Sequence, residues 1–272
     1  MMKTLKVLFR FYINSSIHVA MAVVALTVLT FLEFGISLDL GILSFVFFSS
    51  ITGYNFVKYA PIAKLHHRKL TNRLRQIQIF SFLAFVGLMV SVFYINKQTL
   101  IVGCILGIIT LFYAIPIGRK NLRQVSILKV FVIAMIWATT SFVFPFLYEG
   151  RDIFKMPLIW YFNYVERFIW VVLLMIPFEI RDLRYDQKYL KTLVSVFGIK
   201  TMKIISLSIL ILLSIQKLIF FNINNIGLYL FIYSTLALVI IMSKTNQRFY
   251  FASFWVEGLP IFWLLMLVLL NL

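Results

Sequence analysis

Nine stretches of about 20 mostly apolar residues run through this 272-residue chain, and polar segments separate them. A helix of that length crosses the apolar core of a bilayer, and a soluble domain has no need of nine such helices. The sequence therefore predicts an all-α integral membrane protein with nine transmembrane helices. The predicted spans are Phe11–Phe34, Leu38–Ala60, Gln76–Ile95, Thr99–Pro116, Val125–Leu147, Pro157–Ile180, Thr201–Phe220, Ile226–Met242 and Tyr250–Leu270.

The composition agrees with this class, because 62% of the residues are hydrophobic and only 13% are charged. A net charge of +17 is also typical of nucleic-acid-binding proteins. Here the basic residues lie almost entirely between the apolar stretches, so we expect no nucleic-acid partner.

The N-terminal segment MMKTLKVLFR resembles a signal peptide but is interpreted as the start of the first span. No repeat or soluble segment is visible, and residues 1–272 are expected to form one polytopic membrane domain.

The distribution of basic residues predicts the orientation of the chain. Twenty-one of the 26 basic residues fall in segments on the same side as the N-terminus, and Arg167 lies within a span. Basic residues collect on the cytoplasmic side, so the N-terminus is predicted inside and, after nine spans, the C-terminus outside. This predicts a multi-pass protein of the inner, cytoplasmic membrane. The basic residues assigned to the outer segments are Lys97, Arg151, Lys155 and Lys217.

A stripe of carboxylates marks the end of the sixth span. Glu179, Asp182 and Asp186 follow Pro177 at a spacing that places them on one face of a helix. Such a stripe at a membrane surface can bind a cation and, through it, an anionic substrate such as a diphosphate. A hydrated interfacial loop, in which the acids balance neighbouring basic residues, explains the same pattern. The spacing alone leaves both interpretations open.

The segment that carries the stripe resembles the second motif of the UbiA superfamily of intramembrane prenyltransferases. That motif has an arginine, two aspartates four residues apart, a Lys-Thr-Leu and a glycine. This chain has RDLRYD, then KTL, then Gly198, with Asp182 and Asp186 as the paired acids. The nine predicted spans and the long cytoplasmic loops after the second and sixth also resemble the family.

The first motif of the family is only half present. Gly53, Tyr54 and Asn55 keep its glycine and asparagine, but the aspartates that follow in the family are missing. The segment after the fourth span, with Tyr113, Pro116 and the basic Arg119 and Lys120, also resembles the family. Phe56, Tyr59 and Ala63 stand where acids are expected.

The resemblance implies a ring of nine helices around a central cavity with a polar cap on the cytoplasmic side. It implies transfer of an isoprenoid group from a prenyl diphosphate to a lipophilic acceptor, such as an aromatic compound or a quinone precursor, assisted by Mg²⁺. The implied catalytic residues are Asp182, Asp186 and Asn55, and Glu179 is a third candidate metal ligand beside the two aspartates. The implied diphosphate-binding residues are Lys58, Lys64, Arg68, Arg119, Lys120 and Lys191.

The missing acids leave three interpretations. In the first, one Mg²⁺ is held by the second motif and basic residues grip the diphosphate directly. In the second, the protein binds an isoprenoid or another membrane lipid without turning it over. In the third, the acids are a remnant and the protein has another role, such as transport.

Three charged residues are expected to lie within the apolar core of the bilayer: Glu166, Arg167 and Glu257. A charge in the apolar core of a bilayer is costly, so we expect these groups to face the protein interior and to pair. A partner on another helix is predicted for Arg167 or Glu257, either to line a cavity or to clamp helices together. His18, in the first span, is expected to be a hydrogen-bonded packing residue.

Overall fold

A computed structural model describes residues 2–63, 71–115, 127–186, 192–220 and 226–270. These residues form helices joined by short connections, and the described ranges contain no β-strand. The α-helices are α1 (Met2–Asn14), α2 (Ile17–Glu33), α3 (Leu40–Ala63), α4 (Asn72–Ser91), α5 (Lys97–Ala114), α6 (Leu128–Ala138), α7 (Phe144–Tyr148), α8 (Leu158–Asp186), α9 (Leu193–Phe197), α10 (Ile199–Phe220), α11 (Ile226–Met242) and α12 (Leu259–Leu270).

Among the described residues, seven helical segments are long and apolar enough to cross a membrane. An eighth is possible if the bent pair α1 and α2 is one span, and α11 is a shorter apolar helix of 17 residues. Each of the nine predicted spans therefore corresponds to a helical segment. The all-helical, multi-pass class is confirmed.

The first predicted span needs a correction, because the chain bends within it. The axes of α1 and α2 differ by 58°. The bend lies at Ser15 and Ser16, and Ser16 has a left-handed backbone with φ of 63°. A non-glycine residue rarely adopts that conformation unless its surroundings hold it there. The long apolar helix of this region begins at Ile17, and residues 11–14 belong to α1.

Two prolines are accommodated inside helical segments. Helix α8 continues through Pro177 to Asp186, so the proline does not end the helix. Pro145 lies in the first turn of α7, a position that needs no backbone donor, and a π-helical turn over Thr139–Val143 precedes it. The acid stripe is therefore part of the same helix as the sixth span.

The chain divides into two compact units. Unit 1 comprises Met1–Arg123 and Thr139–Pro157. Its α2, α3 and α4 pack around Ala20, Ile51 and Ala84, and the Phe48 side chain lies against Gly87. Any larger residue at this glycine would meet the Phe48 ring within about 3 Å of its Cβ, so Gly87 sets how closely α3 and α4 approach.

Unit 2 comprises Gln124–Ala138 and Leu158–Leu272. One apolar cluster joins α6, α8, α9 and α10 around Ile176 and Ile180, which are completely buried. Val130 contributes from α6, Val194 from α9 and Met202 from α10. This cluster packs the half of α8 that carries the acid stripe.

Candidate functional site

The acid stripe is helical, as its spacing predicted. Glu179, Asp182 and Asp186 all belong to α8, which ends at Asp186. Glu179 is buried, whereas the Asp182 side chain is 32% exposed. The Asp186 side chain lies outside the described part of the structure. Of the three acids, Asp182 is therefore the one whose carboxylate is seen to reach solvent.

Glu179 is paired with a lysine of a neighbouring helix. Lys129 Nζ, from α6, lies 2.7 Å from Glu179 Oε1, and the side chains are 13% and 2% exposed. Removing charges from water is expensive, and each ion here compensates the other. The pair shows a structural role for Glu179 that the sequence analysis did not anticipate, while its predicted role as a metal ligand stays a prediction.

Asp182 is held by the preceding residue. Arg181 Nε donates to Asp182 Oδ1 at 2.7 Å, and Arg181 Nη2 donates to Oδ2 at 3.3 Å. The guanidinium also lies over the ring of Phe178, 5.2 Å from its centroid. Both side chains are about one-third exposed, so solvent screens this pair and the contact is easily exchanged for another partner.

Asn55, the remnant of the first motif, is the centre of a hydrogen-bond network in unit 1. Its Oδ1 accepts from Ser16 Oγ at 2.8 Å, and its Nδ2 donates to the Ser15 backbone oxygen at 3.0 Å and to Ser81 Oγ at 2.8 Å. The Asn55 side chain is 3% exposed. The amide thus joins the bend between α1 and α2 to α3 and α4.

Two further residues of this segment bind the same bend. Lys58 Nζ and Tyr59 Oη both donate to the backbone oxygen of Asn14, the last residue of α1, at 3.1 and 2.8 Å. Carbonyls at a helix C-terminus lack partners within the helix, so these donors cap α1. Tyr59 stands at a position where the family has an acid, and here it carries a hydroxyl that binds the backbone.

The remaining predicted basic residues fall in segments outside the described residues. They are Lys64, Arg68, Arg119, Lys120 and Lys191. Lys58 and Asn55 belong to unit 1, and Asp182 and Glu179 belong to unit 2. The predicted diphosphate-binding role of each basic residue therefore stays a prediction.

A buried polar cluster in unit 2 was missed by the sequence analysis. Lys217, which was assigned to an outer segment, lies in α10 and is only 2% exposed. Its Nζ lies 2.8 Å from Glu166 Oε2 and 3.3 Å from Asn163 Oδ1, and it sits 4.3 Å from the ring centroid of Tyr229. Tyr233 Oη donates to Glu166 Oε1. The cluster joins α8, α10 and α11, so Lys217 is a buried residue of a helix, and its predicted place on the outer side stays a prediction.

Other polar residues of the helices also form contacts with neighbouring elements. Arg167 lies over the ring of Trp263, with its guanidinium carbon 5.4 Å from the centroid, so its contact is a cation–π interaction with α12. His18 is buried and its Nδ1 is 2.8 Å from Tyr12 Oη, which confirms its role as a hydrogen-bonded packing residue. The Lys203 ammonium donates to the backbone oxygens of Ile241 and Ser243 at the end of α11.

The donor set around α8 suits one hydrated Mg²⁺ better than a metal cluster. Mg²⁺ in proteins usually binds through one or two carboxylates and keeps several waters. Asp182 presents an accessible carboxylate, while Glu179 is occupied by Lys129. The described residues contain no group of three or more histidine, cysteine, aspartate or glutamate side chains able to hold a metal ion.

Comparison with known proteins confirms the fold. No family model and no curated protein sequence matches this chain. Two solved structures are similar over nearly the whole chain. The structure of a UbiA homolog from Archaeoglobus fulgidus bound to GPP and Mg²⁺ has a TM-score of 0.62 and 14% identity, covering 96% of this chain and 99% of that one.

The second is a structure of digeranylgeranylglyceryl phosphate synthase. It has a TM-score of 0.56 and 16% identity, and it covers 99% of this chain and 97% of that one. At such identities the similarity speaks for the arrangement of the helices and not for individual residues. The resemblance to the UbiA superfamily is therefore confirmed at the level of the fold: this chain has the helical fold of the UbiA homolog.

Proposed function

We propose that this protein is a membrane-embedded prenyltransferase that moves an isoprenoid group from a prenyl diphosphate to a lipophilic acceptor. The observation that supports this most is the placement of Asp182 and Asp186 one helical turn apart on α8, in a chain with the UbiA fold. A similar structure binds GPP and Mg²⁺, which is the type of substrate and metal that this acid pair suits.

The proposal includes the arrangement of the chain in the membrane. Nine helical segments form a ring around a central cavity, with the N-terminus in the cytoplasm and the C-terminus outside. The protein resides in the inner membrane. The excess of basic residues on one side supports this orientation, and the nine helical segments found at the predicted spans support the count.

In this proposal Asp182 and Asp186 bind one Mg²⁺, and Asn55 of the first motif is the third catalytic residue. The metal, when bound, neutralises the charge that develops on the leaving diphosphate. Basic side chains share that task by binding phosphate oxygens directly, since guanidinium and ammonium groups are strong donors to them. They are Lys58, Lys64, Arg68, Arg119, Lys120 and Lys191. The bond between the allylic carbon and the diphosphate oxygen breaks, and the acceptor forms a bond to that carbon and loses a proton.

Arg181 and Lys129 adjust the charge of this site. Lys129 already compensates Glu179, so that acid adds no net charge to the stripe. Arg181 holds Asp182 through two hydrogen bonds, and its guanidinium binds a phosphate oxygen when a cation takes its place on Asp182. The acids then bind at most one Mg²⁺, and basic residues must neutralise the remaining charge of the diphosphate.

A non-catalytic isoprenoid-binding or lipid-binding protein is the alternative, and a transporter is a more distant one. The observation that favours the non-catalytic alternative is that Asn55 and Glu179 are both engaged in structural contacts. If these contacts persist when ligand is bound, only Asp182 and Asp186 remain to serve a metal.

The test is Mg²⁺-dependent release of pyrophosphate from a panel of prenyl diphosphates by the purified protein in lipid nanodiscs. Asp182→Asn is compared with Asp152→Asn, which changes an exposed aspartate of unit 1 in the same way. We expect release by the unmodified protein and by Asp152→Asn, and at least a hundredfold less with Asp182→Asn, a typical loss for a group that stabilises the transition state.

Binding of the same diphosphates is measured alongside turnover. Binding without release, unaffected by Asp182→Asn, would support the non-catalytic alternative. Neither binding nor release from any member of the panel would exclude both functions of this site.

A further inference from the structure

Helix α1 is amphipathic and strongly basic. Lys6 and Arg10 are four residues apart, which places them on one face, and α1 contains no acid. Leu5, Leu8 and Phe9 occupy the opposite face. A helix with one basic and one apolar face and little net hydrophobicity is typical of segments that lie in a membrane interface.

Two leucines of the apolar face, Leu5 and Leu8, are left uncovered by the described residues. Leu5 is 58% exposed and Leu8 is 60% exposed, although both would be expected inside a soluble protein. Lys6 and Arg10 are exposed as well. The first two turns of α1 therefore present both faces to the surroundings.

The direction of α1 is fixed by contacts at its end. The 58° bend turns it well away from the axis of α2. Asn14 is held by Lys58 and Tyr59, Ser16 is held by Asn55, and the Phe11 ring packs edge-on against Phe80. α1 is thus a defined arm of unit 1, and the contacts keep its two faces in a set orientation.

We propose that α1 lies in the interfacial plane of the membrane and binds a surface of anionic lipid. Leu5 and Leu8 enter the boundary between headgroups and acyl chains, and Lys6 and Arg10 bind the lipid phosphates. Anionic lipids give a membrane surface a negative potential that attracts basic segments over about a Debye length. An anionic lipid surface is the partner that matches both faces at once.

The position of α1 is tested with spin labels at single cysteines in a Cys104→Ser background, because Cys104 is the only cysteine of the chain. The labels are placed at Leu8→Cys and Lys6→Cys in nanodiscs. We expect the label at position 8 to collide mainly with oxygen, and the label at position 6 mainly with a water-soluble nickel chelate. If the nickel chelate reached both labels equally, α1 would not lie in the interfacial plane. The same conclusion would follow if oxygen reached both labels equally and the chelate reached neither.

The lipid preference is tested with the label at position 8. Its depth is compared between phosphatidylcholine nanodiscs and nanodiscs containing equal parts phosphatidylcholine and phosphatidylglycerol. We expect deeper burial with phosphatidylglycerol and loss of that difference in Lys6→Gln/Arg10→Gln. The control Lys97→Gln/Lys155→Gln removes two exposed basic residues elsewhere in unit 1. This variant should keep the difference in label depth between the two lipid compositions.

The same depth in both lipids for the parent chain would exclude the anionic surface as partner, as would a difference that survives Lys6→Gln/Arg10→Gln. Size-exclusion profiles and helical circular dichroism of each variant identify misfolded protein before the labels are compared. No step of this test uses prenyl transfer, so its outcome is independent of the proposed enzymatic function.

Discussion

At the scale of single residues, the side chains that most constrain this protein are buried ions in unit 2. Glu166 pairs with Lys217, and Glu179 pairs with Lys129, in each case between two helices. An isolated charge in such a place is strongly unfavourable, so each ion requires its partner. A buried pair therefore adds little net stability by itself but makes the loss of one member costly.

Lys217→Met should show this cost directly. The change leaves the Glu166 carboxylate buried with only Tyr233 as its described donor. We expect the free energy of unfolding to fall by about 3 kcal/mol. Adding Glu166→Gln should recover most of the loss, because the uncompensated charge is then gone. Thermal unfolding in detergent measures both.

Lys155→Met is the control for that measurement. It breaks the exposed pair of Lys155 with Asp152, whose side chains are 84% and 48% exposed, and should change stability by less than about 0.5 kcal/mol. A Lys217→Met protein as stable as this control would show that Glu166 is not held as a buried ion.

Arg181 should compete with a divalent cation for Asp182. Removing the positive charge in Arg181→Gln frees both carboxylate oxygens and reduces electrostatic repulsion of the metal. We expect Mn²⁺, used as a paramagnetic substitute for Mg²⁺, to bind about tenfold more tightly. Electron paramagnetic resonance of free Mn²⁺ measures this without any turnover, and Arg248→Gln, an exposed change in unit 2, should leave the affinity unchanged. Unchanged affinity in Arg181→Gln would indicate that Asp182 is not a metal ligand.

At the scale of elements, the bend between α1 and α2 organises the predicted first-motif segment. The left-handed conformation of Ser16 is unfavourable for any residue with a side chain, and Asn55 satisfies three polar groups around it. The same segment of α3 caps α1 through Lys58 and Tyr59. Residues that the resemblance assigns to ligand binding thus hold two helices together in this chain.

Asn55→Ala should destabilise the protein even without any ligand. Ser16 Oγ and the Ser15 carbonyl each lose a partner in a buried place, and the half-buried Ser81 Oγ loses a donor, at a cost of about 2–3 kcal/mol in the free energy of unfolding. Thermal unfolding in Mg²⁺-free detergent measures this cost. Ser15→Ala removes only a hydroxyl that donates to the Phe11 carbonyl within its own turn, and its effect should be below about 1 kcal/mol. Equal stability of Asn55→Ala and the parent protein would leave metal binding as the only role for this amide.

At the scale of the whole molecule, the asymmetry of charge dominates. Seventeen more positive than negative charges are distributed unevenly among the segments that join the spans. Such asymmetry orients a chain during insertion. In the proposed orientation most basic residues lie on the same side as the acid stripe.

The predicted orientation places Asn246 inside and Lys155 outside. In a Cys104→Ser background, we expect Lys155→Cys to react with a membrane-impermeant maleimide in intact spheroplasts. Asn246→Cys should react only after lysis, and both positions are exposed in the folded chain. Labelling of Asn246→Cys from the outside would contradict the orientation of the chain and the cytoplasmic location of the site.

The pattern of apolar stretches predicted the membrane class, the helical segments and the helical stripe of Glu179, Asp182 and Asp186, because each depends on local spacing and length. The bend at Ser16 was not predicted, since a left-handed serine has no signature in the chain and is held by Asn55 from another helix. Lys129 and Lys217 both lie inside predicted spans. That position was the available signal that they must find buried partners.

The sequence by itself thus determined where the helices lie and on which face of α8 the acids stand, because both follow from short-range periodicity in a bilayer. Only the tertiary structure decided which acids are paired with a lysine. Glu179 is neutralised by Lys129, and Glu166 by Lys217, through contacts between residues some 50 positions apart. Pairing of buried charges depends on which helices become neighbours, and no local pattern specifies that.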